Sequence, residues 1–178
     1  MDLIWTDELW NVLHILAPLL SRSDYIVFYE WMNQLAQDRL IRKWLQDHPV
    51  EDKMDLVSWV IHFRKMVQPK WKPNYIPIFY TKERMNKDVW GPYLWKWLHE
   101  LSYQSSLLTQ MSLTYIVTLL PCPVCKKHAL LYIKKHPFVD DMVVWTIAFH
   151  NDVSARLNKE YGTKKKIYTR DEAYQLYH

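Results

Sequence analysis

Glycine is nearly missing from this chain, with 2 among 178 residues. Sheets and tight turns rely on glycine's freedom at positive φ, whereas helices avoid it, so its scarcity points to an all-α fold. It also excludes the Gly-x-Gly-x-x-Gly loop of dinucleotide-binding βαβ units, which needs three glycines by itself. Cysteine is equally rare, with 2 residues, too few for a disulfide framework. No apolar run is long enough to cross a bilayer, and the start, Met1-Asp2-Leu3, lacks the basic-then-apolar layout of a secretory signal. A cytoplasmic protein without a membrane span is therefore expected. In that compartment a lone cysteine pair suits redox or metal chemistry better than a structural staple. A dense basic stripe is missing too. The net charge is +4 and basic residues alternate with acidic ones except at Lys164, Lys165 and Lys166, so no nucleic-acid partner is expected.

What is present is aromatic and apolar: 10 tryptophans in a chain that is 49% hydrophobic, enough for a compact core. Much of it is written twice. Trp5-x-x-x-Leu9-Trp10-x-x-Leu13-His14 returns as Trp90-x-x-x-Leu94-Trp95-x-x-Leu98-His99, 85 residues later. His48-Pro49 returns as His136-Pro137 at an offset of 88, and Trp59-x-Ile61-x-Phe63-x-x-x-Val67 as Trp145-x-Ile147-x-Phe149-x-x-x-Val153 at an offset of 86. Three collinear blocks imply an internal duplication. Each copy is expected to hold a first helix (about 7–20 and 92–108), a second region (about 23–47 and 110–135) and a third helix (about 52–67 and 139–158). The second region breaks in copy two at Pro121, which suits the first turn of a new helix. A short last helix near 170–177 has no counterpart. The expected architecture is thus all-α, two tandem small helical bundles: residues 1–67, a Pro- and aromatic-rich linker over 68–87, and residues 88–178.

The copies differ where chemistry would sit. At an offset of 88, Cys122 and Cys125 fall opposite Gln34 and Gln37; at 86, His150 and Asn151 fall opposite Arg64 and Lys65. The tryptophans survive in copy one and the reactive groups do not. In copy two the motif reads Pro121-Cys122-Pro123-Val124-Cys125-Lys126-Lys127-His128. Cys-x-x-Cys at a helix start sets a sulfur near the positive end of the helix dipole, and Lys126, Lys127 and His128 add positive potential, so a thiolate is favoured. Zinc is the competing reading, since Cys122, Cys125, His128 and a fourth ligand would make a tetrahedral site. Compact zinc modules, however, depend on metal to fold, and this chain has an aromatic core of its own. A second polar set, His150, Asn151, Ser154 and Lys159, lies on a largely apolar helix. There His150, Val153/Ser154 and Leu157 share one face. That set suits a polar, phosphorylated aromatic ligand such as a flavin nucleotide.

The order Trp90-Gly91-Pro92-x-x-Trp95-x-x-Leu98-His99, Leu120-Pro121-Cys122-x-x-Cys125, His136-Pro137 and Trp145-x-x-x-Phe149-His150-Asn151-x-Val153 resembles the Erv/ALR sulfhydryl oxidases, above all their small viral members. The resemblance covers about residues 88–178; the degenerate N-terminal copy is similar to a pseudo-oxidase domain of some insect-virus members. It implies a four-helix bundle plus a short fifth helix around FAD. Electrons would pass from protein dithiols through Cys122/Cys125 and FAD to oxygen, giving protein disulfides and hydrogen peroxide. Cys125 would be the proximal sulfur that attacks the flavin, and Cys122 the distal sulfur met by the substrate thiolate. Gly91, Trp95, His99, His150, Asn151, Val153, Ser154 and Lys159 match cofactor-lining positions, and Tyr174 or Tyr177 stands where the family sets an aromatic against the adenine. Two departures are Pro92, where the family usually has an Arg nearby, and Ser154, where it has a second Asn. No third cysteine exists for a shuttle pair. A separate thiol protein, plausibly a thioredoxin-like carrier, is therefore the expected substrate. Because copy one keeps the core aromatics and lacks the reactive residues, it is expected either as a built-in pseudo-partner or as a stabilising or docking module, with an intramolecular pseudo-dimer or a homo-oligomer as the assembly; the resemblance implies a host cytoplasm or virion as the setting.

Overall fold

The computed structural model describes residues 4–51, 55–72 and 87–177, apart from the side chains of residues 87–89 and 177. The readings of Met1-Asp2-Leu3, of most of the 68–87 linker and of the Tyr177 side chain lie outside it. Among the described residues the chain is helical, with no strand. The helices are α1 (Asp7–Leu16), α2 (Tyr25–Leu35, after a 3-10 turn at Arg22–Asp24), α3 (Arg39–Asp47) and α4 (Leu56–Val67). Then come α5 (Lys87–Gln104), α6 (Ser106–Leu119), α7 (Pro123–Lys135), α8 (Met142–Tyr161) and α9 (Arg170–Tyr177).

Most starts follow from a capping side chain that satisfies a backbone N–H left over in the first turn. Thr6, Asp38, Asp55, Ser105 and Asp141 all do so. Gly162, at φ 62°, ends α8 in the left-handed region that a side chain would disfavour.

Three sequence expectations change in detail. Pro92 lies inside α5, which begins at Lys87 and stops at Gln104 because Ser105 caps the next helix. The proline at the first position of α7 is Pro123, not Pro121. Both copies, not only the second, break their middle region, copy one between Leu35 and Arg39. That break also moves the match of the cysteines. α3 and α7 end on equivalent His48 and His136, but α7 is longer, 13 residues against 9. At the helix starts Cys122 therefore corresponds to Asp38, since both are N-caps accepting from the backbone N–H three residues on. Gln34 lies within α2, clear of this site.

The two halves repeat one aromatic arrangement. The Trp59 indole donates to the His48 carbonyl at 2.9 Å, and the Trp145 indole to the His136 carbonyl at 3.0 Å. Trp44 stacks on Phe63 with centroids 5.2 Å apart, and Tyr132 on Phe149 at 4.8 Å. Trp10 meets Phe63 edge-on at 5.5 Å, and Trp95 meets Phe149 likewise at 5.2 Å. Between the halves, α1 packs on α5 and α2 on α6. The fully buried Trp31 sits edge-on to Trp97 at 5.5 Å and donates to Ser112 Oγ at 3.3 Å. One hydrophobic core runs through both halves.

Candidate functional site

The site is built from α7 outward. Pro123 has no N–H and a φ already suited to a helix start, so α7 begins there with Cys122 as its cap. Cys122 Sγ accepts from the Cys125 N–H at 3.2 Å, and the two sulfurs are bonded to each other with Cα atoms 5.2 Å apart. Once reduced, both sulfurs face the positive end of the helix, which favours thiolate. With the cysteines paired to each other, and no group of three or more His, Cys, Asp or Glu gathered among the described residues, the zinc reading has no ligand set.

A cavity of about 460 Å³ opens between α5, α6, α7, α8 and the segment after α8, the size of a cofactor site. Cys125 is on its wall and Cys122 is not. Much of its wall is apolar, with Trp95, Leu98, Ile116, Val117 and Phe149 among the lining residues. The His150 ring stacks on Trp95, centroids 4.2 Å apart and 6° from parallel, and faces the same cavity. Behind it His99 Nε2 lies 3.0 Å from His150 Nδ1, and Thr146 Oγ1 lies 3.4 Å from His99 Nδ1. Across the first contact one ring must donate and the other accept, so the two cannot both be protonated there. Burial lowers His99 to about 3, helped by His150, and lowers His150 to about 4, helped by Lys165. Both rings are neutral at physiological pH.

The cavity wall also carries cationic side chains. Asn151 and Asn158, seven residues apart on α8, share one face and fasten the following segment along it. Asn151 donates to the Tyr168 carbonyl at 2.8 Å and accepts from the Tyr168 N–H at 2.9 Å. Asn158 does the same with Lys165, at 2.8 and 2.7 Å. The strap thereby brings Lys165, Lys166 and Tyr168 to the cavity, opposite Arg156. Arg156 pairs with Glu160 through Nη1 at 2.8 Å, yet its buried Nε has no hydrogen-bond partner among the described residues. A buried donor of this kind calls for an acceptor, and a phosphate oxygen supplies one. The Gly91 backbone also lines the cavity, with nothing within 4 Å of the place a Cβ would take. A lining that combines aromatic and apolar side chains with cations and an orphaned buried donor therefore fits a ligand that carries a flat ring and phosphates, as FAD does.

Gly91, Trp95, His150, Val153 and Ser154 line the cavity as the sequence suggested. His99 meets it through His150. Asn151 holds the strap, Lys159 is exposed on α8, and Tyr174 packs edge-on to Tyr103 at 5.3 Å, none of them on the cavity wall. Sequence reasoning missed Arg156, Lys165, Lys166 and Tyr168. The lysine run was visible, but only as an interruption in charge alternation.

In residues 1–67 the positions aligned with His150 and His99 carry Arg64 and His14. Arg64 stands where His150 stands, 5% exposed, with its guanidinium 5.5 Å from the Trp10 ring and 4.5 Å from the Trp71 ring. Its charge is met by Asp7 at 2.7 Å. His14, the counterpart of His99, is lowered to about 4 by burial and by Arg64.

Residues 92–172 match the model of the Erv1 / Alr family. Three curated relatives are each 35% identical over 95 residues, covering 44% of this chain and 79% of the relative. Each is named FAD-linked sulfhydryl oxidase, and they come from African swine fever virus isolates of a tick in Malawi, a pig in Kenya and a warthog in Namibia. No solved structure matches the chain at a significant level.

Proposed function

Because this chain belongs to the Erv1 / Alr family, we propose specific residue roles for an activity that membership itself supplies: FAD-linked oxidation of thiols to disulfides by oxygen. The observation that carries the proposal is the position of Cys125, on the wall of a cavity lined by both aromatic and cationic side chains, one helical turn from the cap Cys122. Cys122 is the sulfur that meets substrate. A substrate thiolate attacks Cys122 Sγ, the Cys122–Cys125 bond breaks, and Cys125 leaves as a thiolate stabilised by the helix start. A second substrate thiol then attacks the mixed disulfide, releasing the product disulfide and a reduced Cys122. The electron pair now resides in the enzyme dithiol, next to the cavity. FAD, when bound, supplies the two-electron chemistry that returns the pair to oxygen as hydrogen peroxide.

Trp95, Phe149 and neutral His150, which line the cavity, would hold the flavin ring. Lys165, Lys166 and Arg156 would supply charge to its phosphates. With only these two cysteines in the sequence, the substrate is a separate thiol protein, a thioredoxin-like carrier being the class that offers a paired dithiol. Residues 1–67 act as a built-in partner domain. The matched contacts in the two halves support this, as does the pairing of α1 with α5 and α2 with α6. The viral relatives support a role in the cytoplasm of an infected cell or in the virion. Among the described residues no helix is long and apolar enough to cross a membrane. The test is trapping: a Cys125→Ser variant whose Cys122 is first converted to its thionitrobenzoate mixed disulfide, given a reduced thioredoxin-like protein that keeps one cysteine, should release thionitrobenzoate as that thiolate attacks Cys122 Sγ and should accumulate a protein mixed disulfide there. A linkage through any other atom, or no linkage, contradicts the assignment.

A further inference from the structure

α7 buries only Ala129 fully, and the rest of the helix offers a continuous outer face that begins at Cys122. Val124 is 53% exposed and Leu131 44% exposed. Lys127, Lys134 and Lys135 are exposed beside them. Positions 124, 127, 131, 134 and 135 recur every three or four residues, so these side chains form one stripe. The helix carries four lysines and no acidic residue. Among the described residues no carboxylate forms an ion pair with any of the four. Solvated charge runs ordinarily interleave both signs, and here like charges instead frame exposed large apolar side chains that lead to a redox disulfide. At 1.5 Å per residue the stripe is about 20 Å long, the reach of about six residues of extended chain.

We propose that this face of α7 docks the cysteine-bearing segment of the protein substrate, and that it selects a segment with acidic residues flanking its cysteines. The inference rests on the thiol-oxidase reading and adds the substrate's chemistry to it. Apolar side chains of the segment lie on Val124 and Leu131. Its carboxylates pair with Lys127, Lys134 and Lys135. This places the incoming thiolate at Cys122 Sγ for the exchange written above, in which one S–S bond forms as the Cys122–Cys125 bond breaks. Lysines along the track also offset the rise in thiol pKa that neighbouring carboxylates cause.

The experiment uses the full-length holoenzyme and two reduced Cys-x-x-Cys peptides of one backbone sequence, one with Glu flanks and one with Lys flanks, with dithiothreitol as the small-molecule control. Oxygen uptake should give kcat/KM at least tenfold higher for the acidic peptide at low salt, falling to within about twofold at high salt as screening sets in. Lys134→Glu with Lys135→Glu should abolish or invert that preference while leaving the flavin spectrum and dithiothreitol turnover unchanged. Equal kcat/KM for the two peptides at low salt overturns the docking proposal alone, as does a preference that survives both salt and the double substitution. A flavin-loaded enzyme that turns over neither peptide nor dithiothreitol overturns the oxidase reading, and the docking proposal with it.

Discussion

Cys122 and Cys125 have the same chemistry and different surroundings, and the roles proposed for them follow from that difference. Cys125 looks into the cavity, while Cys122 caps the helix outside its wall. Cys125→Ser should therefore lose about 10³-fold or more of thiol-driven oxygen uptake, since thiol exchange has no path to the cavity without that sulfur. Oxygen uptake that stays near the wild-type level would contradict this. The histidines make a second residue-scale prediction. His99, His150 and His14 are held near 3, 4 and 4 in the folded chain, against 6.5 when unfolded. As pH falls below 6.5 the unfolded chain takes up protons that the folded chain refuses, so stability present above 6.5 is lost progressively toward the folded values. Between pH 7.5 and 5.5, above the range where ordinary carboxylates titrate, Tm should fall by several degrees at constant ionic strength. A flat or rising Tm over that window would show that these rings are not buried in the neutral form.

At the scale of elements, the strap after α8 carries Lys165 and Lys166 to the cavity wall, and two side chains hold it. Asn158→Ala removes bonds to both the N–H and the carbonyl of Lys165. At about 1 kcal/mol per bond, FAD affinity should drop roughly 5- to 30-fold with helix content unchanged, as read by flavin titration and circular dichroism. An unchanged affinity would mean the lysines reach their place without the strap. This element also marks the boundary of what sequence could reveal. The helices were legible from apolar spacing and the last one was located near its observed span, but the starts were less so: Pro121 gave way to Pro123 and the break before Arg39 was not read. Trp95 and His150 were reached through the family resemblance, and the shared face of His150, Val153 and Leu157 through helical spacing. The strap was not, because Asn151 and Asn158 look alike whether they touch a ligand or a backbone, and Lys165 lies in an irregular segment with no period to read. The match between α3 and α7 failed for a related reason. One inserted turn shifts every residue before it, so an offset fixed at His136 misplaces the partner of Cys122.

At the scale of the molecule, the shared core is the feature to test. Trp31 is fully buried between the halves, so Trp31→Ala should cost about 3–5 kcal/mol and loosen both halves together in one unfolding transition that also releases flavin. Two separated transitions, with the flavin-bearing half unaffected, would show that the halves are independent bodies. The cavity is lined only by residues between 90 and 176, and Arg64 pairs with Asp7 beside Trp10 and Trp71, so the saturated protein should carry one FAD per chain. The central claim, that this chain moves electrons from thiols through FAD to oxygen, is tested most directly by its visible spectrum in a sealed cuvette. With a dithiol added under air, the flavin band should bleach once oxygen is exhausted and return on reaeration. A protein that takes up no FAD, or a flavin band that the dithiol leaves unchanged after oxygen is removed, would contradict the account.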